Sequence, residues 1–252
     1  MAMVSEERRG PVHIVTLNRS ERRNAVDPPT AAALREAFGG FEADERARVL
    51  VLTGAGRHFC AGADLAAVAS GDFRHDPSSH GPLGPTRLEM TKPTIAAVEG
   101  YAVAGGLELA LLCDLRVASE TAIFGVFCRR WGVPLIDGGS IRLPRLIGQS
   151  RALDMILTGR PVDAAEALSF GLANRVVPAG RALEASIELA EEIAGFPQNC
   201  VASDRRSVLE QWSLDLAEAL RHEAELGQRS LLLDGRAGAK RFIEGARRPE
   251  RS

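Results

Sequence analysis

The chain has 252 residues, 45% apolar and 25% charged, enough to bury a sizeable core as one large domain or a domain with an appendage. A formal net charge of −2 sets up no field that favours nucleic acid or an anionic membrane surface. The N-terminal MAMVSEERRG is charged and lacks the apolar stretch of a secretory signal, and no run of about twenty apolar residues follows, so neither export nor a spanning helix is expected. Cys60, Cys113, Cys128 and Cys200 are scattered singly, without metal-ligand or disulfide spacing, which points to a reducing cytoplasm and to no structural metal.

In chain order, VHIVTL (Val12–Leu17) reads as a strand and TAAALREAFGGFEA carries apolar positions at helical spacing. VLVLT (Val49–Thr53) is continuously apolar, as a strand buried on both faces should be. PTIAAVEG, LRVAS and AIFGV follow as strands, with LELALLC between the first two as a short buried helix. Alternation of this kind predicts an α/β fold with parallel-sheet character. The segment Ser70–Pro85, rich in Gly, Pro, Ser and His, reads as a lid or pocket wall, or else as disordered. In GRPVDAAEALSFG, Asp163 and Glu166 form a capping-box pattern and Gly171 ends the helix. NRVVP reads as one last strand. The boundary is expected near Ala194, with an α/β core over 1–194 and a helical region over 195–252. In that region Asp204–Ser230 reads as one long amphipathic helix and Ala239–Ala246 as a short closing one, covering the core or reaching a second subunit.

Three stretches carry chemistry. GAGRHFCAGADL (Gly54–Leu65) follows the buried strand, and its small residues let backbone approach a ligand; the same pattern also suits a plain strand-to-helix turn. In KPTIAAVEGYAVAGGLELALLCDLRVAS, a strand runs into Gly105–Gly106, which open a helix containing Glu108. Unpaired N–H groups at a helix start suit a developing oxyanion. Glu108 is either a structural acid or, with burial raising its pKa, a general base. Two such turns in one sheet can bring two amides to one carbonyl oxygen, as enolate chemistry beside a thioester requires. The third stretch, FGVFCRRWGVPLIDGG, supplies Cys128, Arg129, Arg130, Trp131 and Asp137.

HFCAGADL, then TKPTIAAVEGYAVAGGLELALLCDLRVASETAIFG, then ILTGRPVDAAEALSFGLANRVVP resemble, in order, the enoyl-CoA hydratase/isomerase, or crotonase, superfamily. The resemblance implies a spiral of ββα units with a helical C-terminal region, assembled as a trimer or dimer of trimers. It implies an acyl-CoA thioester substrate held by the N–H groups of Ala61 and Gly105. It places Asn24, Ala25, Ala61, Gly62, Ala63, Asp64 and Leu65 along CoA, with Gly106 and Cys128 also lining the substrate site. Arg22 and Arg23 would meet its phosphates or simply be solvated. No metal and no redox cofactor is implied; coenzyme A enters only as part of the substrate.

By the same resemblance Glu108 matches one of two paired glutamates of the family's hydratases, and Cys128 stands where the second would be. At its reference pKa of about 8.5 a thiol is a poor acid. Cys128 is then a small apolar filler, or a nucleophile if His58, His75 or His80 approaches it. Asp137 is read as either the N-cap of the following helix or a relocated acid. Trp131 is a candidate for shortening the acyl pocket, and Arg129 and Arg130 for pairing with Glu89, Glu99 or a substrate carboxylate. The implied reaction is hydration of a 2-trans-enoyl-CoA. Isomerisation, thioester hydrolysis, decarboxylation and non-catalytic acyl-CoA binding are the alternatives; no Ser/His/Asp set supports a spiral-fold serine peptidase.

Overall fold

The computed structural model describes residues 2–73, 76 and 80–245. They fall into two units, divided between Glu191 and Glu192.

In the first unit, β1 (Val4–Arg9) pairs antiparallel with β2 (Val12–Leu17) at one edge of a six-stranded sheet. This first strand, mostly exposed and charged, has no apolar alternation and was not legible in the sequence. Helix α1 (Pro28–Ala43) begins two residues ahead of its apolar pattern because Asp27 caps it, accepting the N–H of Thr30 at 3.0 Å, with proline in the first turn. Its Leu34, Phe38 and Phe41 are fully buried in the core with Leu50 and Leu52 of β3 (Val49–Gly54). Each such side chain contributes roughly 1.5–3 kcal/mol by leaving water. After the short α2 (Leu65–Ser70), β4 (Thr94–Val98) lies parallel to β3.

The chain then leaves the large sheet. Strand β5 (Tyr101–Val103) belongs to a second, three-stranded sheet and leads into α3 (Gly105–Leu112). It next returns to the large sheet as β6 (Leu115–Ser119) and crosses again as β7 (Ile123–Gly125), parallel to β5. Two strands, one in each sheet, followed by a helix make the turn of a ββα spiral, the architecture the sequence resemblance implied. Helices α4 (Gly139–Ile147) and α5 (Gln149–Thr158) follow, then β8 (Val162–Asp163), α6 (Ala164–Ser169), β9 (Arg175–Val177) and α7 (Ala182–Ala194). The large sheet reads β1-β2-β3-β4-β6-β9. Only half of the capping box forms: Asp163 accepts the N–H of Glu166 at 2.8 Å, while Glu166 turns to Arg160 at 2.6 Å.

Arg116 on β6 is buried, and its guanidinium donates to the carbonyls of Cys113 at 2.7 Å and Leu172 at 2.6 Å. These bonds satisfy a carbonyl just past the C-terminal end of α3 and fasten the helix that carries Glu108.

In the second unit, α8 (Gln198–Glu210), α9 (Leu216–Ser230) and α10 (Arg236–Ile243) are joined by short tight turns, the last a π segment over Leu231–Gly235. The long helix expected over Asp204–Ser230 is broken at 211–215. There Asp215 starts a new helix by accepting the N–H of Glu218 at 2.8 Å, a cap that overrides the continuous apolar spacing. Ala246, the expected end of the closing helix, lies outside the described residues.

Candidate active site

The site is built where the segment after β3 is stitched onto the second sheet. Cys60 bridges β5, its N–H donating to Tyr101 at 2.9 Å and its carbonyl accepting from Val103 at 3.1 Å. Three residues on, Ala63 bridges Val26, which donates to the carbonyl of Gly62 at 2.8 Å and accepts from Asp64 at 2.8 Å. In a parallel bridge this pattern turns the N–H of Ala63 away from Val26. It emerges beside Gly105: a Cβ built on Gly105 would lie 3.5 Å from the Ala63 nitrogen, and one built on Gly62 would lie 2.6 Å from the Gly105 nitrogen. Gly62, at φ +90°, can only be glycine, since both its backbone conformation and this close approach exclude a side chain. At Gly106 a Cβ would meet the Cys60 carbonyl oxygen at 2.1 Å, so α3 starts directly against that segment.

Two neighbouring N–H groups, of Ala63 and Gly105, therefore find no acceptor among the described residues. This corrects the expected pair. The N–H of Ala61 donates to the carbonyl of Arg23 at 3.0 Å and is spent inside the fold, whereas Gly105, the first residue of α3, has its N–H unpaired as expected. Ala104, just before it, holds φ +54°, an unusual conformation for a residue with a Cβ, and aims the Gly105 amide outward.

Glu108, one turn into α3, is buried, 2% exposed. Its Oε1 accepts the N–H groups of Asp137 at 2.9 Å and Gly139 at 2.8 Å. Oε2 accepts no hydrogen bond from a described residue and is not sealed from solvent, so it is the oxygen left to meet water. Burial pushes its pKa up to about 7, with the Asp137 charge raising it further and the two amides and Arg142 opposing. A carboxyl half-ionised near neutrality can both take and give a proton.

Asp137 is buried too, but it does not cap α4; the residue before that helix is Gly138, at φ +98°. Its Oδ1 accepts the N–H of Leu83 at 3.1 Å and the hydroxyl of Thr86. Arg142, unnoticed in the sequence, donates to the carbonyls of Asp137 at 2.9 Å and Thr86 at 2.7 Å. No local signal marks it, since one carbonyl it meets lies outside the helix and the other belongs to a distant segment.

Cys128 is buried, and burial together with the Glu108 charge pushes its thiol pKa up, against Arg129. A raised thiol pKa disfavours the thiolate, and no hydrogen bond joins Cys128 to either of the described candidates, His58 and His80. His58 stacks on Tyr101 at 4.8 Å and accepts the Tyr101 N–H at 3.3 Å, and burial, Arg23 and Arg57 hold its pKa low. His80 is exposed, on the rim of a cavity of about 210 Å³ beside α1, and His75 lies outside the described residues.

Other expectations are displaced. Asn24 is fully buried with its amide spent on the carbonyls of Ala55 at 3.0 Å and His58 at 2.6 Å and its Oδ1 on the N–H of Arg19, so it shapes the loop and offers no side chain to a ligand. Asp64 caps α2 and pairs with Arg19 at 3.0 Å, a structural task as well. Ala25 is half-buried and Leu65 exposed, both open to a ligand. Trp131 is 70% exposed in the chain. Arg129 and Arg130 donate to the carbonyls of Ile156 and Gly159 at 3.1 Å each, close the loop before α4 and leave Glu99 to the N–H of Ala182. Among the described residues no cluster of three or more His, Cys, Asp or Glu is placed to hold a metal, and no helix is long and apolar enough to cross a membrane.

A ββα spiral that sets two unpaired amides near a buried carboxylate is the framework of the crotonase class. Comparison with known proteins agrees. The profile of the enoyl-CoA hydratase/isomerase family matches residues 7–249, and the chain belongs to that family. It is 39% identical over 249 residues to an enoyl-CoA hydratase, EchA19, of Mycobacterium tuberculosis, covering 94% of this chain and 92% of the relative. A carnitinyl-CoA dehydratase of Proteus mirabilis is 40% identical over 77% of this chain and 76% of its own length. Among solved structures, the enoyl-CoA hydratase EchA1 of Mycobacterium marinum superposes with a TM-score of 0.91 at 36% identity, covering 100% of this chain and 98% of that one.

Proposed function

We propose that the protein is an enoyl-CoA hydratase-like enzyme that adds water across the double bond of a 2-trans-enoyl-CoA thioester. The observation that carries this reading is the pair of unpaired amides, Ala63 and Gly105, next to the one-turn helix offset that presents Glu108. The thioester oxygen accepts both N–H groups. Oε2 of Glu108 takes a proton from water as its oxygen bonds to the β-carbon, and the electron pair of the double bond moves to the thioester oxygen as an enolate. That charge is what the two amides stabilise. Collapse of the enolate draws a proton onto the α-carbon. Glu108 returns the one it took, so one H and one OH are added and the enzyme is regenerated.

Loop 61–65 and Ala25 lie along CoA in this reading, and no metal or redox group is required, coenzyme A being part of the substrate. In the helical unit Trp212, Leu231, Leu232, Leu233 and Phe242 are exposed in the single chain, apolar side chains that favour assembly as a trimer or dimer of trimers. Cytoplasmic residence is supported by cysteines that form no disulfide.

A second reading is favoured by Cys128, whose thiol, raised by burial, is a poor partner acid: a reaction needing one base, such as double-bond isomerisation on the same scaffold. A spectrophotometric assay on crotonyl-CoA and a medium-chain enoyl-CoA separates them. Hydration by the wild type, lost in Glu108→Gln, supports the first. No hydration by the wild type, with hydration appearing in Cys128→Glu, sinks it and leaves the second.

A further inference from the structure

Asp137 serves two segments at once. Its side chain accepts from Leu83 and Thr86, on the segment 80–87, and its backbone N–H donates to Oε1 of Glu108. That segment adjoins the amide pair: the tip of Leu83 lies 2.5 Å from where a Cβ on Gly105 would sit, so the Leu83 side chain roofs Gly105. The segment is clasped from the other side by Arg142 donating to the Thr86 carbonyl at 2.7 Å and by Arg87 donating to the Ile136 carbonyl at 2.9 Å. A carboxylate with one oxygen committed to two donors inside a buried joint is placed to hold parts together.

We propose that Asp137 is a positioning residue: its side chain seats the wall over Gly105, its main chain seats Glu108, and wall and base are held as one unit. This rests on the reading of Glu108 as the base. The groups facing Glu108 are Asp137, Arg142 and the thiol of Cys128, and Arg142 also faces Cys113 and Arg145. Among these Asp137 is the charge that holds Glu108 protonated to higher pH, so removing it lowers the Glu108 midpoint. Burial, the larger cause, keeps that midpoint above the ordinary carboxylate value.

The test is Asp137→Asn, which keeps an acceptor oxygen for Leu83 and Thr86 and removes the charge. Two readouts are taken: the pH profile of kcat/KM for enoyl-CoA hydration, and the infrared carboxyl band of Glu108 across pH, identified by subtracting Glu108→Gln. A positioning role gives a midpoint lowered by roughly half to one pH unit in both, with kcat reduced by no more than about tenfold. A loss of about a thousandfold at every pH with the midpoint unmoved makes Asp137 the proton donor and overturns the proposal. If the wild type hydrates nothing while the infrared midpoint still falls, the positioning role stands and the hydratase reading fails. Hydration with an unmoved infrared midpoint does the reverse. Thr86→Val, which removes one bond of the joint, is expected to raise KM several-fold with recovery in Thr86→Ser; equal KM in all three also overturns the proposal.

Discussion

Oε1 of Glu108 accepts the N–H of Gly139 at 2.8 Å, so the acid on α3 is held by the first residue of α4. The two helices meet through a buried ionisable group, and that ties stability to pH. The folded pKa of Glu108 is about 7 against an ordinary 4.5, so between these values the folded state keeps a proton that the unfolded chain has lost. Its contribution to stability therefore falls as pH rises from about 4.5 to 7, by about 3 kcal/mol in all. Glu108→Gln keeps the acceptor for both amides and removes the penalty. Urea unfolding at pH 4 and pH 8 should show the variant near wild type at pH 4 and more stable at pH 8, while hydration falls by about 10²–10⁴-fold. Equal stabilisation at both pH values would show that Glu108 is not held at a raised pKa.

Ala63→Pro removes one of the two unpaired N–H groups and leaves the Gly105 amide in place. Loss of one oxyanion donor is expected to lower kcat by about 10²–10³-fold. KM should change far less, since the donor matters most once the oxygen is charged. Steady-state kinetics, with circular dichroism to verify the fold, checks this. Retention of kcat would remove Ala63 from the site.

Asn24→Ala is expected to act on folding and not on the substrate. The substitution strips partners from two carbonyls, of Ala55 and His58, and from the Arg19 N–H, all around a residue that is fully buried. Unpaired buried groups of this kind cost roughly 2–4 kcal/mol together. A calorimetric Tm well below wild type, with KM for enoyl-CoA within a few-fold on the folded fraction, is the expected outcome.

Cys128 and Cys200 should separate under alkylation. Cys128 is buried with its thiol pKa raised by burial and by Glu108, and Cys200 is exposed. Iodoacetamide at pH 7.5 followed by mass spectrometry should label Cys200 and spare Cys128, and Cys128→Ala should change kcat by no more than about threefold. Rapid labelling of Cys128 with loss of activity would restore it as a nucleophile.

How much of this was legible before folding varies by residue. The buried strand Val49–Thr53, the Gly105–Gly106 opening of α3 and Glu108 all stood out, because apolar runs and paired glycines are local signals. The oxyanion pair was half readable. Ala61 and Ala63 are both small residues two apart in FCAGAD, and nothing local tells which N–H is spent on Arg23 and which is turned out by the bridge to Val26. Asp137 before Gly-Gly has the local form of a cap, and only the 80–87 segment, more than fifty residues upstream, shows that its carboxylate is used elsewhere. Arg142 carries no local signal, because its partners are the carbonyls of Asp137, before the helix, and of the distant Thr86.

The sequence by itself determined the α/β class and, through its motif order, the family with the ββα spiral that the resemblance implies, and it singled out Glu108 as a candidate base. Tertiary structure alone decided which amides remain unpaired, why the pKa of Glu108 is raised to about 7, and that Asp137 joins the 80–87 segment to Glu108. Those properties depend on hydrogen bonds and burial between segments far apart in the chain, and a backbone N–H carries no mark in its residue type of whether a distant carbonyl will claim it.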